Sequence, residues 1–159
     1  MFITMREHFY SFLLNPVFLS AMFSWLSAQF IKTVIKLLTG RVNDLKELLA
    51  LLFWRTGGMP SSHSALVCAL TTSIGFRSGV DSDIFILALC FMLVVIRDAV
   101  GVRRASGLQA RSLNELGKKL YQKGMIDFQT VKEVHGHTPL EVFVGCLLGL
   151  FTGTAFSVL

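Results

Sequence analysis

Long apolar runs separated by short polar segments dominate the pattern of the chain. Residues 17–38 and 139–159 are long enough to cross about 30 Å of hydrocarbon at roughly 1.5 Å per residue. Residues 83–100 form the clearest span, since no charge occurs between Asp83 and Arg97. Residues 62–77 are short for a span and rich in Ser and Thr, so this helix needs protein neighbours or a local dip in the membrane. The pattern predicts an all-α integral membrane helical bundle with about four spans, in a single domain of residues 1–159.

Two segments outside these runs have a different character. Residues 42–53 predict a short amphipathic helix, interfacial or re-entrant, because they are too few to span and carry their charges at the front. Residues 103–137 form the one long polar stretch, with a helical piece around 112–122. We expect this stretch to be a polar cytoplasmic loop. The N-terminal residues lack a small-residue cleavage pattern and are not interpreted as a cleaved signal peptide.

Composition supports lipid as the surroundings of these helices. Hydrophobic residues make up 53% of the 159 residues and charged residues 16%, and the mean hydropathy is +0.62. These values exclude a disordered tail or a collagen-like repeat. A chain of this length has too little interior to bury so much apolar surface in water. Its three cysteines lie singly in apolar runs, which indicates small buried hydrophobes rather than a zinc site or a disulfide framework.

The distribution of basic residues predicts the topology. Of the 15 Lys and Arg residues, five lie between Lys32 and Arg55 and eight between Arg97 and Lys132. Cytoplasmic loops collect positive charge, so these segments are expected on the cytoplasmic side and both termini on the opposite side. The net charge of +5 then reflects topology and attraction to membrane lipids. No nucleic-acid partner is expected, because no basic face on a soluble fold is visible.

Four polar clusters fall at the predicted cytoplasmic ends of the spans. They are Lys32 with Lys36, GGMPSSHS at 57–64, Arg97-Asp98 with Arg103-Arg104, and HGHTPLE at 135–141. Helices that begin at Ser62 and Thr138 direct backbone N–H groups and positive dipole ends into this region, which favours an anion such as phosphate. His63 lies just inside one helix and His137 just before the other, where an imidazole can act as nucleophile or acid. Glu141, four residues after His137, is spaced to orient that ring.

Three segments in this order carry a family resemblance: GGMPSSHSA, RDAVGVRRASGLQA and GHTPLEVFVGCLLG. They resemble the signature segments of the divergent branch of the type 2 phosphatidic acid phosphatase and vanadium haloperoxidase superfamily, over roughly residues 29–149. The resemblance implies His137 as a nucleophile that forms a phosphohistidine, Glu141 as its orienting carboxylate and His63 as the general acid. It further implies five substrate-binding residues: Lys32, Ser61, Ser62, Arg103 and Arg104. It implies no metal and no cofactor.

The function predicted on this basis is hydrolysis of a lipid phosphate or diphosphate at the cytoplasmic face of a bacterial inner membrane. The partner is then a phosphorylated lipid substrate. Several motif positions depart from the family pattern: Ser62 replaces a Gly, Glu141 replaces an Asp, and neither Lys-x6-Arg-Pro nor a Ser-Arg before His137 occurs. These departures favour an alternative, a non-catalytic or transport membrane protein that binds a phosphate headgroup.

Structural interpretations stay open for several site residues. Thr138 and Glu141 make a capping box with Pro139 at the first helical position. Ser61 and Ser62 equally suit a plain helix N-cap. A carboxylate that caps a helix can also orient a histidine, so the two roles of Glu141 do not exclude each other.

The charged residues also have simpler interpretations. Lys32 and Lys36 can extend to the headgroups, which is the favoured interpretation for Lys36. Positive-inside bias accounts in part for Arg103 and Arg104. Asp98 is expected to pair with one of the nearby arginines.

Two further possibilities concern a metal and the assembly. A metal site is a minor alternative because its ligands lack zinc-type spacing; they would be His63, His135, His137 and Glu141. Glycines repeat every four residues in the last span, at Gly145, Gly149 and Gly153. Such a face packs helices closely, within the chain as the first expectation or in a homodimer.

Overall fold

The computed structural model describes residues 5–39, 58–133 and 136–159. The helix predicted at 42–53, Gly57 and His135 lie outside these residues. Six α-helices are described: α1 (Met5–Leu13), α2 (Pro16–Leu38), α3 (Ser62–Ser78), α4 (Asp83–Arg97), α5 (Arg103–Gln122) and α6 (Pro139–Val158). A π-helical turn, Asp98–Val102, joins α4 to α5. No strand occurs within the three described ranges, so the predicted all-α class is confirmed.

The helix starts follow from capping residues in the sequence. Asn15 caps α2 by accepting the Val17 N–H at 2.9 Å, and Pro16 follows at the first helical position. Ser82 caps α4 through the Phe85 N–H. Thr138 caps α6 with the complete capping box. These caps explain why the observed starts agree with the predicted spans to within a residue.

Three helical stretches are long and apolar enough to cross a membrane: Pro16–Leu38, the continuous 40-residue stretch Asp83–Gln122, and Pro139–Val158. The remaining predicted span, residues 62–77, is the 17-residue helix α3, which packs against α2, α4 and α6. These are the protein neighbours that its short length and many hydroxyl groups require. Large apolar side chains such as Phe23, Phe30, Phe91 and Phe151 are exposed on the outside of the bundle. The molecule is therefore an integral membrane protein with three long helices around a shorter one.

Close packing between α3 and α6 depends on the glycines of α6. A Cβ at Gly145 would lie 2.5 Å from the Ser61 carbonyl oxygen, and one at Gly153 would lie 2.8 Å from the Ala69 carbonyl oxygen. Side chains larger than hydrogen therefore do not fit between the two backbones. The glycine stripe is used for packing within the chain, the first of the two roles expected for it.

The chain after α4 differs from the prediction. A helical piece was expected around residues 112–122, but α5 already begins at Arg103, because the π-helical turn carries the helix on without a break. No proline or side-chain cap interrupts this turn. The nine-residue helix α1 was not predicted either. The stretch 103–137, predicted as a polar loop, is thus helical over its first twenty residues.

A segment without regular secondary structure returns along α5 toward α6. We call residues 125–133 the strap. Phe128 of the strap covers Gly117 of α5, and Val131 bonds to the Asn114 side chain at 2.8 Å. Later strap residues contact earlier α5 residues, so the strap runs antiparallel to α5 and leads back to the start of α6.

Candidate functional site

Lys32 of α2 is turned into the bundle rather than toward its surface. Only 3% of the residue is exposed. Its Nζ donates to Gln29 Oε1 and to Ser62 Oγ, each at 3.1 Å. The expectation that Lys32 extends to the headgroups does not describe this conformation. A cationic amine is instead held beside the first residue of α3.

His137 and Glu141 form a tightly connected pair at the start of α6. His137 Nδ1 lies 3.0 Å from Glu141 Oε2, and the same oxygen accepts the Thr138 backbone N–H at 3.0 Å. An ionised carboxylate only accepts hydrogen bonds, so Nδ1 carries the proton in this contact. The capping box and the contact with His137 therefore occur together. The pairing leaves Nε2 as the ring nitrogen able to face a ligand.

The backbone holds this histidine at a defined place. His137 is 5% exposed, and its backbone N–H donates to the Ala99 carbonyl oxygen of the π-helical turn at 3.2 Å. The preceding Gly136 lies against the Arg104 backbone, where a Cβ would overlap with the Arg104 Cα. The start of α6 is thus attached to the junction between α4 and α5.

Ser61 joins the starts of α3 and α6. Its Oγ caps α3 by accepting the Ser64 N–H at 3.5 Å, and it also accepts the Ser64 hydroxyl at 2.9 Å. Its backbone N–H donates to the Glu141 carbonyl oxygen at 2.9 Å. Ser61 is fully buried, so the N-cap interpretation describes its side chain. Ser62, the neighbouring residue, contacts Lys32 instead.

His63 lies on the exposed side of the α3 start, facing the same region. It is within electrostatic range of Lys32, Arg103, His137 and Asp98. Arg103 Nε donates to Asp98 Oδ2 at 2.6 Å, which identifies the arginine that pairs with this carboxylate. One nitrogen of the Arg103 guanidinium is thereby fixed, while the other nitrogens keep donors for an anion.

The structure thus brings together, at one end of the bundle, the predicted residues Lys32, Ser61, Ser62, His63, Arg103, His137 and Glu141. Arg104 enters through its backbone contact with Gly136. We call these eight residues the polar end site. Its cations and the N-terminus of α3 make an environment that favours an anion. Among the described residues, no group of three or more His, Cys, Asp or Glu side chains is arranged to hold a metal ion.

Two groups that contact the polar end site were not predicted from the sequence. Gln29 accepts a hydrogen bond from Lys32, and its position three residues before the lysine in an apolar run was a usable signal. The Ala99 carbonyl oxygen, which accepts the His137 N–H, had no signal in the sequence. A backbone acceptor becomes available there through the local helix geometry, which residue types do not reveal.

Two comparisons with known proteins find matches over most of the chain. A family model described as "Divergent PAP2 family" matches residues 13–152. The "Uncharacterized membrane protein YuiD" of Bacillus subtilis (strain 168) is 37% identical over 149 residues, which cover 87% of this chain and 91% of the relative. No solved structure matches the chain. The range matched by the family model contains every residue of the polar end site.

Proposed function

The chain belongs to the divergent PAP2 family, and from this premise we propose that it hydrolyses the phosphate or diphosphate headgroup of a membrane lipid. The observation that carries the proposal is the contact of His137 Nδ1 with Glu141 Oε2, which leaves Nε2 without a role in that contact. His63 lies within electrostatic range of His137 and of the cations Lys32 and Arg103. A histidine oriented by a carboxylate next to cationic groups suits nucleophilic attack on phosphorus.

The proposed reaction has two steps. His137 Nε2 attacks phosphorus, a P–N bond forms, and the bond from phosphorus to the lipid oxygen breaks. His63 supplies the proton that the departing oxygen needs. Water then attacks the phosphohistidine and gives a proton to His63, the P–N bond breaks, and inorganic phosphate leaves. Glu141 stabilises the positive charge that develops on the His137 ring in the first step.

Cations around the reacting phosphorus are proposed to bind the substrate and to stabilise the transition state. Lys32 and Arg103 are proposed to bind the phosphate oxygens, together with the backbone N–H groups at the start of α3. Because negative charge moves onto these oxygens and the leaving group, fixed donors stabilise the transition state without rearranging. Thirteen of the fifteen Lys and Arg residues fall within residues 32–55 and 97–132, the sequence segments that contain or adjoin most residues of this end. The proposal therefore sets it at the cytoplasmic face, in a bacterial inner membrane.

A second candidate is a protein that binds a phosphate headgroup without hydrolysing it. The arrangement of Ser61 favours this candidate, since its hydroxyl and its backbone N–H both have partners within the protein. The loop before α3 then offers fewer donors for a transition state than the family motif leads us to expect. Binding by Lys32 and Arg103 does not depend on those donors.

One assay separates the two candidates. The purified protein in detergent is incubated with a panel of phosphatidic acids, diacylglycerol pyrophosphate and polyprenyl phosphates and diphosphates, with a His137→Ala variant as the blank. Release of inorganic phosphate by the wild type alone supports the enzyme. Saturable binding of a substrate without release by either protein supports the binding protein. If the wild type neither releases phosphate nor binds any substrate, both candidate functions are contradicted.

A Lys32→Met variant is expected to bind phosphate about tenfold more weakly, because a charge-assisted hydrogen bond is lost while the side-chain volume is kept. The measurement is the inhibition constant of inorganic phosphate, or its dissociation constant if no turnover occurs. Lys36→Met is the matched control, since Lys36 lies one turn further along α2 and is half-buried. Equal affinities of the two variants would remove Lys32 from the proposed phosphate site.

A further inference from the structure

The strap is attached to α5 by contacts with the buried side chain of Asn114. This residue is 5% exposed although it lies on a helix with a strongly polar surface. Its Oδ1 accepts the Val131 N–H at 2.8 Å, and its Nδ2 donates to the Val131 carbonyl oxygen at 2.8 Å. Nδ2 also donates to Glu133 Oε1 at 2.9 Å. Both backbone groups of one strap residue are therefore held by one amide.

A second contact lies one turn further along α5. A Cβ at Gly117 would overlap with the ring of Phe128, so the ring rests directly on the helix backbone. Asn114 and Gly117 are the two buried residues of α5, and both face the strap. The packing of α5 within the described residues is thus directed mainly at this segment and not at the transmembrane helices.

The strap leads into the catalytic histidine of the proposed function. Beyond Glu133 the chain reaches Gly136, which lies on the Arg104 backbone, and His137, whose N–H is bonded to the Ala99 carbonyl oxygen. The order of partners along α5 and the π-helical turn is therefore Gly117, Asn114, Arg104 and Ala99. The described residues before and after residues 134–135 thus contact one continuous helical stretch that ends at the polar end site.

The connection from Val131 to His137 has few residues compared with the stretch of helix between their partners, Asn114 and Ala99. Six residues lead from Val131 to His137, which reach at most about 22 Å. Fifteen residues of helical backbone separate their partners Asn114 and Ala99, about 22 Å at 1.5 Å per residue. The short connection is the reason to expect that a displacement of Val131 along α5 disturbs His137.

We propose that Asn114 is a positioning residue: by holding Val131 it keeps His137 in place between the Ala99 carbonyl oxygen and Glu141. The catalytic consequence rests on the proposed function, whereas the positioning itself does not. Asn114 touches none of the groups that would bind phosphate, which lie on α2, α3 and the start of α5. Its loss should therefore reduce turnover and leave substrate binding nearly unchanged, since small displacements of a reacting group have large effects on rate.

The test compares Asn114→Ala with Glu115→Ala, whose exposed side chain pairs with Arg111 on the same helix. Hydrogen exchange followed by mass spectrometry is measured on the full chain in detergent. In Asn114→Ala we expect exchange at residues 131–138 to become at least about tenfold faster. Exchange in α3 and in the middle of α6 should stay as in the wild type. The control should match the wild type throughout.

Kinetics supply the second readout of the same variants. We expect kcat for phosphate release to fall about tenfold or more in Asn114→Ala, with KM and the inhibition constant of inorganic phosphate within twofold of the wild type. Unchanged exchange at residues 131–138, or faster exchange throughout the bundle, overturns the positioning role. Faster local exchange with unchanged kcat overturns its link to catalysis. A wild type that releases no phosphate contradicts the proposed function, and the exchange experiment then still decides whether Asn114 holds His137.

Discussion

A His137→Ala variant is expected to release phosphate at least about a thousandfold more slowly than the wild type. The proposed reaction needs a nitrogen nucleophile at the start of α6, and His137 Nε2 is the atom that the contact with Glu141 leaves available. His63 does not replace it, because it lies on α3 and is the proposed proton donor. The measurement is the initial rate of phosphate release from the best substrate of the panel, with the protein in detergent.

His8→Ala is the matched control, since this exposed histidine lies on α1, away from the polar end site, and should leave the rate unchanged. Rapid quenching of the wild type with a substrate labelled in its phosphate should yield labelled phosphohistidine in the peptide that contains His137. A His137→Ala protein that retains more than a tenth of the wild-type rate would contradict the nucleophilic role.

Glu141 links this prediction to the fold. Its Oε2 accepts hydrogen bonds from the His137 ring and from the Thr138 backbone, and its own carbonyl oxygen accepts the Ser61 N–H. One residue therefore caps α6, orients the histidine and attaches α3. These contacts hold the start of α6 without a ligand, and the proposed reaction would depend on this preorganisation.

Most of the helices could be predicted because their signals are local. Asn15-Pro16 and Thr138-Pro139 mark helix starts through hydrogen bonds that span two or three residues. The start of α5 had no such mark, since the π-helical turn Asp98–Val102 lacks a breaker and a side-chain cap. Hydropathy changes at Arg97, but a change in polarity does not end a helix when the backbone hydrogen bonds continue through it.

The polar end site could be predicted as a group of residue types but not as a set of contacts. Placing the polar clusters at one membrane depth predicted that Lys32, His63 and His137 would meet, and His63 lies within electrostatic range of both Lys32 and His137. The direction of Lys32 into the bundle depends on Gln29 and Ser62, which lie on two different helices. Such pairings depend on how each helix is rotated about its own axis. The packing of α3 against α6 fixes this rotation, and residue types alone do not reveal it.

Gly149→Ala is expected to destabilise the packing of α3 against α6. The added Cβ would overlap with the Ala65 carbonyl oxygen and lie 2.7 Å from Cys68 Cβ and 2.9 Å from the Ala69 nitrogen. Two of these neighbours are backbone atoms of α3, so relief requires α3 and α6 to separate. Overpacking of this kind costs about 1–3 kcal/mol, which corresponds to a fall in the unfolding temperature of roughly 2–12 °C. The measurement is thermal unfolding in detergent.

Gly101→Ala is the matched control for this substitution, because a Cβ at Gly101 meets nothing within 4 Å and the residue lies in the π-helical turn. It should unfold at the wild-type temperature or slightly above it, since alanine restricts the unfolded chain more than glycine does. Separation of α3 from α6 also draws Ser61 away from Glu141, so Gly149→Ala should lose phosphate binding at temperatures below its own midpoint. A Gly149→Ala protein as stable as Gly101→Ala would show that α3 and α6 are further apart in the membrane than the described packing requires.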